Sequence, residues 1–467
     1  MDSHDAMLQK SGKDRRPSSI VITDDADAVR LAELGYTQVL SRKFSVWSLL
    51  GVGFSLTNSW FGLSAAMVTG INSGGTALII YGVIIVACVS VNIRENLSEK
   101  QELVLTLRHV IDKYHVFAAY QVINAFAAIF NCYGKTLPWT ASFTLYVSLI
   151  SFFVILVTAS IPSSYEGVPS VTPAHKPASF VFATFINNTG WNQPGIAFIV
   201  GLINTNWPFC CLDCATHLSE EVPRPERNIP IAICGTVAIG FVTAWFFAVA
   251  MFFSLYGDFE QLVSTPTGVP ILALFYSALT GRSAQVAGAI VLESLILATG
   301  LGCQIASHTW QSRLLWSFAR DGGVPGSKYL AVINEKLDVP LRAHLVSCGL
   351  VAVVGSLYLG SYTAFNSMVT ATIVLLYISY AVPIYSLLFV RGRNNIRHGP
   401  FWLGRIGMVA NVVVLCWTIF TLVMYSFPYT MPVAANTMNY VSAVYFAVSV
   451  IVAADWIFRG RKEYGHV

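Results

Sequence analysis

Ser55, Thr57, Asn58, Ser59 and Trp60 crowd into six positions of an otherwise apolar run, with Gly51, Gly53 and Gly62 around them. A second island, Asn204-Thr205-Asn206-Trp207-Pro208-Phe209, sits in another apolar run and is followed by Asp213. Hydroxyls, amides and indoles in this arrangement do not make a nucleophile–base pair. They make hydrogen bonds, and the glycine and proline beside them interrupt helices. Pro208 removes one backbone donor and collides with the preceding turn. An interrupted helix leaves N–H and C=O groups unpaired at its broken ends. In lipid these are tolerated only where they face protein or a cavity, and there they can hold a small polar solute. The residues singled out for solute binding are Gly53, Ser55, Thr57, Asn58, Ser59, Trp60, Asn206, Trp207, Phe209 and Asp213. Close helix packing through small residues is the competing account of the glycines.

The solute's charge stays open at this level. A quaternary ammonium has no N–H to donate and is met by aromatic faces, each worth roughly 0.5–2 kcal/mol. Trp60, Phe61, Trp207 and Phe209 flank the two breaks, although interfacial belts compete for aromatic side chains. A zwitterion such as 4-aminobutyrate or another amino acid would instead place its carboxylate at a half-helix N-terminus. Glu293, inside AIVLESLILATGLG, is either a carrier of a coupling proton or a hydrogen-bonded packing acid. Asp213 either serves the site or pairs with a loop cation such as Arg224 or Arg227. Glu220, Glu221, Arg224, Glu226 and Arg227 form either a cytoplasmic gate or a helix-end brace. His308 reads as a hydrogen-bonded interfacial residue. Cys211-x-x-Cys214 lacks a second pair, so it reads as packing. No metal constellation, P-loop, dinucleotide fingerprint or catalytic triad stands out. No enzyme is expected, and no cofactor beyond an ion gradient, with protons as the expected coupling ion.

The elements that must position these residues follow from composition. Of 467 residues, 55% are hydrophobic and 11% charged, against roughly 25% charged in a soluble domain. The net charge of +4 gives no polyanion footprint and excludes a nucleic-acid partner. The partners called for are a small solute and a lipid bilayer, and the sequence carries no signal of oligomeric state. The fold class is an all-α polytopic membrane protein, expected at the plasma membrane. A span takes about 20 helical residues. Eleven stretches qualify, at about 44–70, 76–92, 116–133, 138–159, 193–215, 230–255, 285–311, 343–360, 364–390, 406–427 and 439–457. Residues 1–43 form a polar, cytoplasmic N-terminal tail without the features of a cleavable signal peptide. A transport core follows over 44–390, two C-terminal helices over 391–458, and a short cytoplasmic tail over 459–467.

Basic loops mark the cytoplasmic side. The tail, 93–115, 312–342 and 391–405 are rich in Lys and Arg, whereas 71–75, 361–363 and 428–438 have none. The count fails in the middle. Five spans separate the basic loops at 93–115 and 312–342, and an odd number cannot return the chain to one side. The sequon Asn187-Asn188-Thr189 marks 161–192 as external, again on the wrong side. One extra crossing between about 90 and 116 repairs both conflicts. Residues 92–115, NIRENLSEKQELVLTLRHVIDKYH, have the composition of a soluble amphipathic helix. Either they are a genuine surface loop, or a span has been lost there through splicing, a misassembled gene or decay of the gene.

GVGFSLTNSWFG (51–62), GLINTNWPFCCLDCATHLSEEVPRPERNIPIAI (201–233), ASHTWQSRLLWSFARDGGVPGS (306–327) and HGPFWLGRIG (398–407) resemble the amino acid–polyamine–organocation permeases. Within them the fungal amino acid/choline branch is most similar, and the choline permeases within that. The resemblance covers about 44–91 and 116–460. It implies a LeuT-like fold of two inverted five-helix repeats plus two further helices. The two islands would be its discontinuous helices, and its third helix would be missing here. It also implies secondary active transport of a small nitrogenous solute, choline or a related amine, by alternating access as a symporter. A truncated member that no longer transports, or a sensor, is the other reading.

Overall fold

The computed structural model describes residues 38–90, 113–161, 175–255, 269–280, 284–395, 398–435 and 438–464, with scattered positions in 27–36 and 259–265. Among the described residues there is no strand, and helices follow one another: α1 (Val46–Thr57), α2 (Ser59–Ala65), α3 (Met67–Ser90), α4 (Lys113–Asn131), α5 (Leu137–Ser160), α6 (Pro194–Asn206), α7 (Pro225–Phe253), α8 (Pro270–Ala278), α9 (Gln285–Arg320), α10 (Leu341–Gly360), α11 (Tyr362–Tyr385), α12 (Gly404–Met424) and α13 (Val441–Asp455). Nine segments among the described residues are long and apolar enough to cross a membrane. The remaining apolar stretches are α4 and the interrupted pair α1–α2. Proline opens α6, α7 and α8, where its missing N–H would have no partner anyway. Ser45 caps α1 by accepting from the Ser48 N–H at 3.2 Å.

The outer helices show the solvent for which the fold is built. Ile406 on α12 and Phe446 on α13 are each 72% exposed among other bare apolar side chains. In water such a surface would aggregate; against lipid it needs no cover. The architecture is an all-α bundle, with the interrupted helices at its centre and α12 and α13 at its edge.

The bundle has a basic end and an opposite end. Lys43, Glu221, Arg313 and Asp338 meet at the first. At the second, the Asn188 N–H donates to the Asn72 carbonyl at 2.8 Å, and the Met431 N–H to that of Thr189 at 2.7 Å. The loop carrying the sequon therefore lies at the end away from the basic cluster. α3 passes Asn72 at this second end and then runs 15 residues from Gly75 to Ser90, about 22 Å toward the basic end. α4 runs antiparallel to α10. Tyr120 donates to the Val351 carbonyl at 2.9 Å, and His344 Nε2 lies 3.0 Å from the Ala128 carbonyl. The Gly134 N–H, just past α4, reaches the Leu337 carbonyl at the basic end. Ser90 and Lys113 thus stand toward opposite ends of the bundle. Most of the atypical 92–115 stretch, through residue 112, lies outside the described residues.

Two further expectations change. The span drawn at 285–311 continues as helix to Arg320, so Arg313 and Arg320 are helical and not part of a loop. Hydropathy falls before the helix ends, because these arginines are satisfied by acids from elsewhere in the chain. His308 is fully buried, not interfacial.

Candidate functional site

The first break is made by one residue. Asn58 adopts φ 33°, ψ 64°, a left-handed conformation that ends α1, and α2 starts at the next position. The Asn58 side chain accepts from Ser148 Oγ at 3.1 Å, and Trp60 Nε1 donates to the same hydroxyl at 3.0 Å. Asn58 Nδ2 is buried without a hydrogen-bond partner. Around the break, Ser55 bonds Thr144 of α5 at 2.8 Å and Thr57 donates to its own helix at the Gly53 carbonyl. Gly53 and Gly51 let α7 and α5 approach. A Cβ at Gly53 would lie 2.6 Å from Thr236 Oγ1, and one at Gly51 would lie 2.5 Å from the Ala141 carbonyl oxygen.

The second break has several parts. α6 ends at Asn206, Trp207–Phe209 form one tight turn, Cys210 is extended and Cys211 left-handed. A 3₁₀ segment then runs from Leu212 to Glu221. The two breaks touch. Ser59 Oγ donates to the Pro208 carbonyl at 2.8 Å, an acceptor released by the broken helix. A Cβ at Gly62 would lie 3.2 Å from Pro208 and 3.4 Å from the Trp207 ring. Asn206 is held between Tyr377, which donates to it at 2.7 Å, and the Tyr425 hydroxyl.

A cavity of about 1090 Å³ opens beside this junction. Of the ten predicted solute residues only Trp207 lines it, with neighbouring Phe61. Trp60 and Phe209 point the other way, into an apolar core where Trp60 packs against Phe152 and Phe247. The other seven build the breaks and hold them together. Asp213 is fully buried and 2.9 Å from His217 Nε2, so neither Arg224 nor Arg227 is its partner there. The cavity adds residues that the sequence did not single out: Tyr120 from α4, Tyr358 from α10, Phe365 from α11 and Asn204 from α6. Asn204 is 1% exposed and neither amide atom has a partner. Glu293 also lines the wall, 6% exposed, with Oε2 unpartnered. A buried amide and carboxylate left unpaired are costly by themselves and mark where a ligand would be met.

The basic end is tied by the acids expected of a gate, with other partners. Glu221 is fully buried, takes Arg313 Nε at 2.8 Å and Lys43 Nζ at 2.9 Å, and its carbonyl accepts both the Lys43 and Phe44 N–H groups at 3.0 Å. Glu220 pairs with Arg320 at 2.6 Å. Lys43 also reaches Asp338 at 3.0 Å. Partial burial works against the Asp338 charge, but hydrogen bonds from Ser41 and Lys43 outweigh it and hold the carboxyl below its usual range. Arg224 is instead left-handed, φ 50°, and its N–H donates to Asp27 at 2.9 Å. Arg227 contributes its backbone N–H to the Arg224 carbonyl. The signal for Arg313 was available: a cation about two turns inside a long helix needs an acid.

A lipid-exposed helical bundle with a cavity beside two broken helices has the architecture of a membrane transporter. The sequence model of the amino acid permease family matches residues 96–449, and the chain belongs to that family. It is 42% identical to a choline transporter of Saccharomyces cerevisiae, over 94% of this chain and 85% of that one. It is 32% identical to a 7-keto 8-aminopelargonic acid transporter of the same yeast, over 93% and 95%. A solved structure of a Na⁺-coupled sialic acid symporter, substrate-bound and outward-open, aligns at 11% identity with a TM-score of 0.39, over 82% of this chain and 90% of that one. The choline-transporter alignment runs over 496 positions, more than this chain's 467 residues, so that relative has positions without a counterpart here.

Proposed function

We propose that the chain carries a small organic cation, choline or a related quaternary amine, across the plasma membrane by alternating access. An ion gradient drives it, with protons as the coupling ion and Glu293 as the coupling group. The observation that carries this reading is the charge of the cavity wall. Among the described residues it holds one carboxylate, Glu293, no lysine or arginine, and the rings of Phe61, Tyr120, Trp207, Tyr358 and Phe365. Methyl groups of a quaternary ammonium lie against such rings, Glu293 balances the charge whenever it has given up its proton, and the Asn204 amide takes a hydroxyl. A zwitterion would bring a carboxylate to a wall with no cation to receive it. The name of the yeast choline transporter points the same way.

A second reading rests on the size of the cavity and on the chain around it. Small-molecule sites enclose about 300–1,000 Å³, and this cavity reaches about 1090 Å³. The flanks of 91–112 stand at opposite ends of the bundle. A chain that has lost a span lining the site would bind its solute without moving it. Uptake of radiolabelled choline in a host lacking its own choline permease decides between them. Saturable uptake, competed by unlabelled choline and not by 4-aminobutyrate, is expected. Absent uptake, restored when the internal segment of the yeast relative is inserted between residues 90 and 113, would overturn transport in favour of the second reading.

A further inference from the structure

Away from the cavity, α9 and α10 bring together His308, His344 and Cys348, all buried. One donor atom from each lies within 4.8 Å of the others. Cys348 Sγ is 3.2 Å from His308 Nδ1 and 3.7 Å from His344 Nδ1. Bond lengths of about 2.3 Å to sulfur and 2.0–2.1 Å to nitrogen at a tetrahedral or trigonal ion place such atoms roughly 3.4–3.7 Å apart; the Cys348–His344 separation falls in that range and the Cys348–His308 separation of 3.2 Å lies just below it. Orientation is provided too. His344 Nε2 donates to the Ala128 carbonyl at 3.0 Å, leaving its lone pair on Nδ1. His308 Nε2 accepts from the Gln304 amide nitrogen at 3.2 Å, which places the ring proton on Nδ1 toward Cys348 Sγ; ligation through Nδ1 requires that proton to move to Nε2 and the Gln304 amide to turn its oxygen toward it. Partners on the far ring nitrogen are what fix the tautomer of a ligating histidine.

We propose that His308, His344 and Cys348 bind one thiophilic transition-metal cation, Cu(I) in preference to Zn(II). Thiolate and imidazole suit both ions. Charge separates them. Cu(I) with one thiolate and two neutral imidazoles sums to zero, whereas Zn(II) leaves a net positive charge in a low-dielectric bundle. On binding, the Sγ–H bond breaks, the proton leaves to solvent and the sulfur lone pair goes to the metal; no electron is transferred. Gln304 lines the cavity, so the metal would clamp α9 to α10 directly behind the solute wall.

The test is anaerobic titration of the purified full chain with Cu(I) against a competing chelator, with retained metal measured per protein after gel filtration. About one equivalent retained by the wild type, and loss of at least tenfold in retention by Cys348→Ser and by His344→Asn, is expected. Equal retention by C348S overturns the proposal, as does complete surrender of copper by the wild type. X-ray absorption on the wild type does not depend on how the variants fold. A shell of one sulfur and two nitrogens supports the assignment, and a shell with several sulfurs, or none, refutes it. Stoichiometric Zn(II) without Cu(I) overturns the charge argument.

Discussion

Replacing Glu221 by glutamine tests whether the basic end is a gate. Glu221 is fully buried and Arg313 is 1% exposed, with contacts of 2.8 Å to Arg313 Nε and 2.9 Å to Lys43 Nζ. At an effective dielectric near 20, a pair of charges about 4 Å apart attracts by about 4 kcal/mol. Desolvation offsets much of that, but removing one partner leaves the other charge buried alone, which costs about 3–5 kcal/mol. The half-wet Glu220–Arg320 pair, with side chains 13% and 20% exposed, is worth about 1 kcal/mol or less. Glu221 is therefore the member to remove. If the contact exists only in the conformation seen here, E221Q moves the equilibrium toward a form open at the basic end by about two to three and a half powers of ten. Cys303 on the cavity wall is a built-in reporter. In inside-out vesicles a membrane-impermeant thiol reagent should label Cys303 at least tenfold faster in E221Q, as read by peptide mass spectrometry. Glu221→Leu with Arg313→Leu should regain wild-type thermal stability, because an apolar pair replaces a buried ion pair without loss, and should still label fast. Labelling at the wild-type rate in both variants refutes the gate and leaves a brace.

Four other outcomes follow from the same geometry. Trp207→Leu and Tyr358→Leu should each weaken choline binding about 2- to 30-fold, the span of a cation–π contact of about 0.5–2 kcal/mol, measured by scintillation proximity on purified protein; Phe209→Leu, off the cavity, should change it less than twofold. Glu293→Gln should abolish the dependence of uptake on an imposed pH gradient, and an unchanged dependence removes Glu293 from coupling. Gly51→Ala should lower thermal stability in detergent by the equivalent of about 1–3 kcal/mol, since its Cβ would strike backbone, while Gly349→Ala, with nothing within 4 Å, should be neutral or stabilising. The Asp338 carboxyl is held below its usual range, so its contribution is complete above the unfolded value near 3.9 and is lost as pH falls through the lower folded value. Cys303 labelling should therefore not vary through this group between about pH 5 and 8, and any variation there belongs to another titrating residue.

Much of the fold was legible because lipid allows few solutions. Apolar runs of span length had to be helices, and polar islands with Gly or Pro inside them had to be breaks. Asn58 and Trp207–Cys211 are where the chain leaves the helix. The charge pattern calls for an extra crossing between residues 90 and 116; most of that stretch lies outside the described residues, and its flanks stand toward opposite ends. Charge misled on the local detail, because the orientation of α4 is set by its antiparallel packing on α10 and not by the lysine at its start.

The cavity was harder to read, and the reason is helix phase. Neighbouring positions on a helix differ by about 100°. Trp60 and Phe61 are adjacent, both aromatic and both within three positions of Asn58, yet one is buried against Phe247 and the other lines the cavity. Nothing in the order of residues distinguishes them. What decides is Ser148 on α5, which takes both Trp60 Nε1 and the Asn58 amide oxygen and so fixes the rotation of α2. The same holds across the break, where Phe209 falls into the core and Trp207 stays at the wall because Pro208 is pinned by Ser59. The far wall, Tyr120, Tyr358 and Phe365, comes from three helices that meet only in the folded bundle. A site assembled by tertiary contacts is thus foreseen at its breaks and not at its faces.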